Sequence, residues 1–170
     1  PQTYSAVVAT LNAMTDDPEP GINPAHNALA YTGSIDQAKA FKSAFAAVAL
    51  HESGGLSLTE AEQAQHSEDA SLRRRARLRL LAEHADVKAA HSKSDTESRQ
   101  EREAAFLMFK GNDYTEEEAV KGWSPHKRVL ANVDIFSEGV NINEIDTVVI
   151  SDDAKTSERA MTQGIGRAIR

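Results

Sequence analysis

Near the carboxyl end, Gln163, Gly166, Arg167 and Arg170 stand at i, i+3, i+4 and i+7 of the run "MTQGIGRAIR". A helix over this stretch aligns them on one face. Gly164 and Gly166 would each cost that helix about 1 kcal/mol relative to alanine, which makes sense where another body must approach the backbone closely. Two planar guanidinium forks beside bare backbone suit an anion with several oxygens, a phosphate above all. The competing reading is an exposed arginine turn that complements the helix dipole. A second anion-binding candidate lies in "ALAYTGSIDQ", where Gly33 and Ser34 join an apolar run to a helical pattern. Free N–H groups at such a helix start can hold an anion, and Ser34 reads equally as a plain N-cap.

Other chemistries are excluded or disfavoured. No glycine is followed by lysine, so the chain carries no G-x-x-x-x-G-K-[ST] phosphate cradle. Asp152 and Asp153 follow the strand-like "DTVVIS", but without a cradle they have no phosphate-bound cation to serve and read as structural. The chain has no cysteine, which removes disulfides and thiolate metal sites. Its six histidines are scattered singly and read as surface or satisfied polar residues. Lys+Arg 19 against Asp+Glu 26 gives a net charge of −7, so any nucleic-acid contact must be local rather than a whole-surface attraction. No apolar run approaches the ~20 residues of a membrane span, and the amino end lacks a signal-peptide pattern. A cytoplasmic protein is the expectation, with no membrane partner. Because the chain starts on Pro1 and ends on the arginine run, it is expected to be a piece of a longer one.

The elements that must position these residues follow from hydrophobic period and punctuation. "YSAVVATLNAM" has helical spacing, and the proline-rich "TDDPEPGINP" reads as a linker, which places the domain proper after it. Strand, tight turn and helix then follow in "HNALAYTGS" and "IDQAKAFKSAFAAVAL". Leu56 to His84 is helical; Leu72, Ala76 and Leu80 mark its apolar stripe, and the five arginines of "SLRRRARLRL" read as a solvated face. "DVKAAH" is a strand, and "SKSDTESRQEREAAFLMFKG" a helix with a Ser94–Glu97 capping box, stopped by Gly111. A short helix capped by Thr115 with Glu118 is expected in the next polar stretch. "RVLANVDIF" and "DTVVIS" are apolar without alternation, as strands buried on both faces are. The order predicts an α/β fold with a parallel sheet wrapped by helices, its ligands at the carboxyl ends of the strands.

The residues falling at those ends carry a resemblance. Gln163, Gly166, Arg167 and Arg170 form Q-x-x-G-R-x-x-R, which resembles motif VI of superfamily-two helicases and translocases, and "VLANVDIFSEGVNI" resembles their motif V. "ALAYTGSIDQAKAF" is similar to motif IV, and "RQEREAAFLMFKG" to a helix that follows it in the family. The resemblance covers residues 27–170, after an N-terminal helix and linker over 1–26, with a helical insertion at about 56–84 and a loop insertion at about 112–125. It implies the second lobe of a two-lobed motor, a three-layer RecA-like domain with a central, mostly parallel sheet. It further implies ATP with Mg²⁺ in the cleft between lobes, the Mg²⁺ being held mainly by the first lobe.

On that resemblance Arg167 and Arg170 are arginine fingers, and Gln163, Gly139 and Asn141 are nucleotide contacts. Gly33, Ser34 and Asn132 would touch the nucleic-acid backbone. Asn141 stands where many relatives have Asp, so its contact would be uncharged. Val133 replaces the threonine of DEAD-box relatives, which passes that contact to Asn132 and points to a DNA motor of the restriction or repair type. Lacking the first lobe, the chain alone is expected to be inactive. The alternatives are a non-enzymatic docking module using the RecA-like scaffold and, more remotely, an unrelated mononucleotide-binding domain.

Overall fold

The computed structural model describes residues 2–15, 24–91, 96–111, 115–133 and 144–151. Helix α1 (Gln2–Thr15) is followed by β1 (Asn27–Tyr31) and α2 (Ile35–Glu52), then α3 (Leu58–Ala64) and α4 (Ala70–His84). Next come β2 (Asp86–His91), α5 (Thr96–Phe109), α6 (Glu116–Lys121), β3 (Arg128–Val133) and β4 (Thr147–Ile150). The four described strands form one parallel sheet in the order β2-β3-β1-β4. Helices cover both faces, giving the three-layer α/β architecture expected of a RecA-like domain.

The strands are apolar on both sides because both sides are covered. In β1, Ala28 and Ala30 join one core while Leu29 and Tyr31 join the other, following the two-residue period of a pleated strand. β3 repeats the division, with Val129 and Ala131 on the first face and Leu130 on the second. The first face is built largely of alanine, which lets α2 pack closely through Ala38, Phe41, Phe45 and Ala49. The Phe41 and Phe45 rings lie 6.2 Å apart at 34°. The second face receives α5 through Ala105 and Phe109.

Three features differ from the expectation. Helix α1 is built into the domain, with Val7, Leu11 and Met14 fully buried in the first core. Residues 56–84 form two helices, separately capped by Ser57 with Glu60 and by Asp69. Of these, α4 places Ala76, Leu78, Leu80 and Leu81 in the core, so its apolar stripe is as read. Its arginines do not form a solvated face. Arg77 is buried, and its Nε and Nη1 donate to the carbonyls of Gln65 at 2.9 Å and Thr15 at 3.1 Å. Arg73 donates to the Ser67 carbonyl, Arg74 to Asn12 Oδ1, and Arg75 to the carbonyls of Ser53 and Gly54. Guanidiniums are used here to close helix ends and turns that would otherwise present bare carbonyls. The expected Thr115–Glu118 capping box of α6 is present, with Gly122 in the left-handed conformation as its stop. The expected Ser94–Glu97 box lies outside the described residues.

Candidate functional site

The carboxyl ends of β1 and β3 are adjacent, Tyr31 pairing with Asn132. Beyond Tyr31 the chain turns over Thr32 and Gly33 into α2. Thr32 N–H donates to the Asn132 carbonyl at 2.9 Å, and its hydroxyl reaches the same oxygen at 3.2 Å. Gly33 N–H donates to Gln37 Oε1 at 2.9 Å. Ser34, with extended backbone at φ −155°, caps α2 by accepting from Gln37 N–H at 3.2 Å. The plain capping reading of Ser34 therefore holds. It leaves the hydroxyl proton of this exposed side chain free to donate outward. Asp36, in the first turn, opposes an anion there in part.

Asn132 sits behind this turn. It is fully buried, and its Nδ2 donates to the Ala30 carbonyl at 3.2 Å, tying β3 to β1. Its Oδ1 has no partner among the described residues. Gly33, Ser34 and Asn132 thus lie at one edge of the sheet, as expected, but Asn132 is placed as a cross-strand tie rather than at the surface. In sequence, the segment resembling motif V begins in β3 and the arginine run comes after β4. Gly139, Asn141, Gln163, Arg167 and Arg170 themselves lie outside the described residues.

At the opposite, amino edge of the sheet lies an arrangement that sequence reasoning missed. Trp123, Ser124 and Lys127 immediately precede β3, and all three are buried. The Trp123 indole N–H donates to the Met14 carbonyl at 2.6 Å. Arg77 Cζ lies 5.1 Å and Lys127 Nζ 5.4 Å from the centre of the indole ring. A cavity of about 680 Å³ opens beside the ring, with Gln65, His66, Glu118, Lys121 and His126 among its lining residues. Close by, the Asp146 carboxylate accepts from the backbone N–H groups of His26 at 2.9 Å and Asn27 at 3.2 Å. Burial drives Lys127 down from its ordinary value of 10.5 to about 7; the charge of Arg77 adds to this, while Asp146 and Glu118 oppose it. Among the described residues, no three His, Asp or Glu side chains gather as a metal site. No helix among them is long and apolar enough to cross a membrane.

The family described as helicase conserved C-terminal domain matches residues 64–170, from the end of α3 through the arginine run. No curated protein and no solved structure matches the chain. A match over more than half of the chain, on a parallel sheet flanked by helices, places this protein in the helicase conserved C-terminal domain family.

Proposed function

We propose that this chain is the second motor lobe of an ATP-dependent helicase or translocase acting on nucleic acid, with DNA as the favoured substrate. The observation that carries this reading is the carboxyl edge. The Gly33–Ser34 turn and the Asn132 tie occupy adjacent strand ends, the segment resembling motif V follows β3 in sequence, and the family match covers that segment and the arginine run.

Ser34 and the Gly33 turn would meet one nucleic-acid strand through its phosphates, giving position without sequence information. Asn132 would hold that turn on the sheet. Gly139 and Asn141 would lie against the ribose, and Gln163 between the nucleotide and nucleic-acid sides. The donor set on the chain, two guanidiniums beside glycine backbone, fits a polyphosphate and not a divalent cation, so Mg²⁺ falls to the first lobe. ATP bound between the lobes supplies the phosphoryl-transfer chemistry. Arg167 and Arg170 would present rigid forks to the negative charge that transfer develops, a role for which the bidentate guanidinium is suited. The choice of DNA rests on the N-V form of motif V, in which Val133 replaces the DEAD-box threonine.

The test is single-turnover ATP hydrolysis by the full-length parent, measured beside ATP affinity and a melting curve. Arg167→Ala or Arg170→Ala is expected to lower the rate by roughly 10³ to 10⁵ while sparing affinity, because the interaction forms mainly in the transition state. Lysine at either position should not restore it. Near-normal rates in both folded alanine variants would refute the assignment. A docking module would show no ATP dependence in the parent at all.

A further inference from the structure

We propose that His84 and His126 form a two-histidine site for a late transition-metal ion of the Zn²⁺ or Ni²⁺ kind, which fastens the end of α4 to the entry of β3. The inference is independent of the motor reading and lies at the amino edge of the sheet, opposite the Gly33–Ser34 turn.

The histidines are scattered in the sequence, and the sheet register brings these two together. Asp86 of β2 is paired with Arg128 of β3, and Asp86 N–H donates to the Lys127 carbonyl at 2.9 Å. Each histidine stands two residues ahead of its strand's paired residue, in "HAD" and in "HKR", so equal offsets set one beside the other. Their ring centres lie 5.2 Å apart, with the planes tilted by 56°. An imidazole bound through nitrogen at about 2.1 Å has its ring centre about 3.2 Å from the metal, and two such rings at a tetrahedral angle stand about 5.3 Å apart. The pair already has that spacing.

Both backbones are held in place. His84 closes the last turn of α4, after which Ala85 N–H donates to the Leu81 carbonyl at 3.0 Å. His126 N–H donates to Ser124 Oγ at 3.2 Å, and the turn around it is closed by the Lys127 N–H on the Pro125 carbonyl at 2.9 Å. Chelation therefore has to order side chains but not main chain, which keeps its entropic cost small. Both residues are exposed, so an ion with its waters can reach them. The carbonyl end of α4 favours positive charge at His84. Neutral imidazole suits zinc, nickel and copper, whereas Mg²⁺ and Ca²⁺ take oxygen ligands, so the site is chemically distinct from one for nucleotide-bound Mg²⁺. No third His, Asp or Glu among the described residues joins the pair, which leaves the remaining positions to water.

The experiment is thermal unfolding of the whole chain with and without ZnCl₂, beside calorimetric titration for affinity and electron paramagnetic resonance of added Cu²⁺ for ligand identity. The wild type should bind one Zn²⁺, melt higher as zinc is raised, couple two nitrogens to Cu²⁺ and ignore MgCl₂. His84→Gln and His126→Gln should each melt normally without metal and bind zinc more than about tenfold more weakly, tenfold being the least that loss of even an outer partner costs a metal site. His51→Gln, on α2, should bind as the wild type does. Absence of any zinc effect on the wild type overturns the site, as does a single coupled nitrogen. A zinc effect that survives in either His84→Gln or His126→Gln, or that vanishes in His51→Gln, overturns it as well.

Discussion

Arg77 shows what a residue-level reading of sequence can and cannot deliver. Although the five arginines read as a solvated face, its place on α4 next to Ala76 of the apolar stripe is legible, because periodicity reports where each Cβ points. The destination of its guanidinium is not. That group ends on carbonyls 12 and 62 residues away, and no local pattern encodes the meeting of α1, the α3 end and Trp123. The same holds for Lys127, a charge in front of an apolar strand that is fully buried. Removing Arg77 leaves two carbonyls short of a donor and a ring uncovered. Arg77→Ala should therefore cost roughly 2–6 kcal/mol, at about 1–3 kcal/mol for each buried group left unsatisfied, whereas Arg79→Ala, whose partner is the exposed Glu83 at 3.5 Å, should stay within about 0.5 kcal/mol. Urea unfolding of the two variants decides this, and equal costs would contradict it. Lys127 adds a pH dependence of known sign. Its folded-state value of about 7 lies below its ordinary 10.5, so between these limits the unfolded chain binds a proton that the folded chain refuses. Stability should rise as pH climbs through that window and be lowest beneath it; urea midpoints that fall from neutral to alkaline pH in the wild type, relative to Lys127→Met, would reverse the assignment.

At the scale of elements the sequence was far more informative, because strand and helix signals are local. "DVKAAH" became β2 from its first residue to its last, and the Thr115–Glu118 box and Gly111 stop fell where capping chemistry put them. The turn at the carboxyl end of β1, part of the candidate site, is legible for the same reason: a strand, a small polar turn and an N-cap are adjacent in sequence as well as in space. The division of residues 56–84 into α3 and α4 escaped notice, although Ser57, Glu60 and Asp69 carried the signal. The turn before α3 supplies a prediction. Gly54 has φ +67°, and a Cβ there would meet Arg75 Nε at 3.1 Å. The arginine could yield only by giving up its bonds to the Ser53 and Gly54 carbonyls. Gly54→Ala should thus cost more than the about 1 kcal/mol usual for a simple cap loss such as Thr115→Ala. Differential melting of the pair tests the ranking, and an unchanged Gly54→Ala melt would show the turn to be strain-free.

For the whole molecule, the sheet order and its helical cover fix which parts are dispensable. A chain starting at residue 24 would expose the core places of Val7, Leu11 and Met14 and orphan the indole N–H. It should lose cooperative melting, and a truncated chain that melts as sharply and as high as the intact one would show α1 to be an appendage. The intact 170-residue chain, lacking a phosphate cradle, should hydrolyse no ATP with or without DNA; turnover abolished by Arg167→Ala would move the reaction centre into this lobe. The central place of β1 has a consequence in time as well as space. β1 leaves the ribosome well before its neighbour β3, which is about 100 residues behind it, the span of the Thr32–Asn132 bond, and β4 follows later still. Until then α1 and α2, helices of the first core, are already synthesised, while β1 lacks both of its strand neighbours. The helices can form a provisional shelter within their own stretch of chain, while the sheet must await β3 and β4 and the closure of a long loop. Nascent chains halted before residue 128 should accordingly be rich in helix, poor in protection of β1, and the species most exposed to aggregation through an unpaired apolar strand.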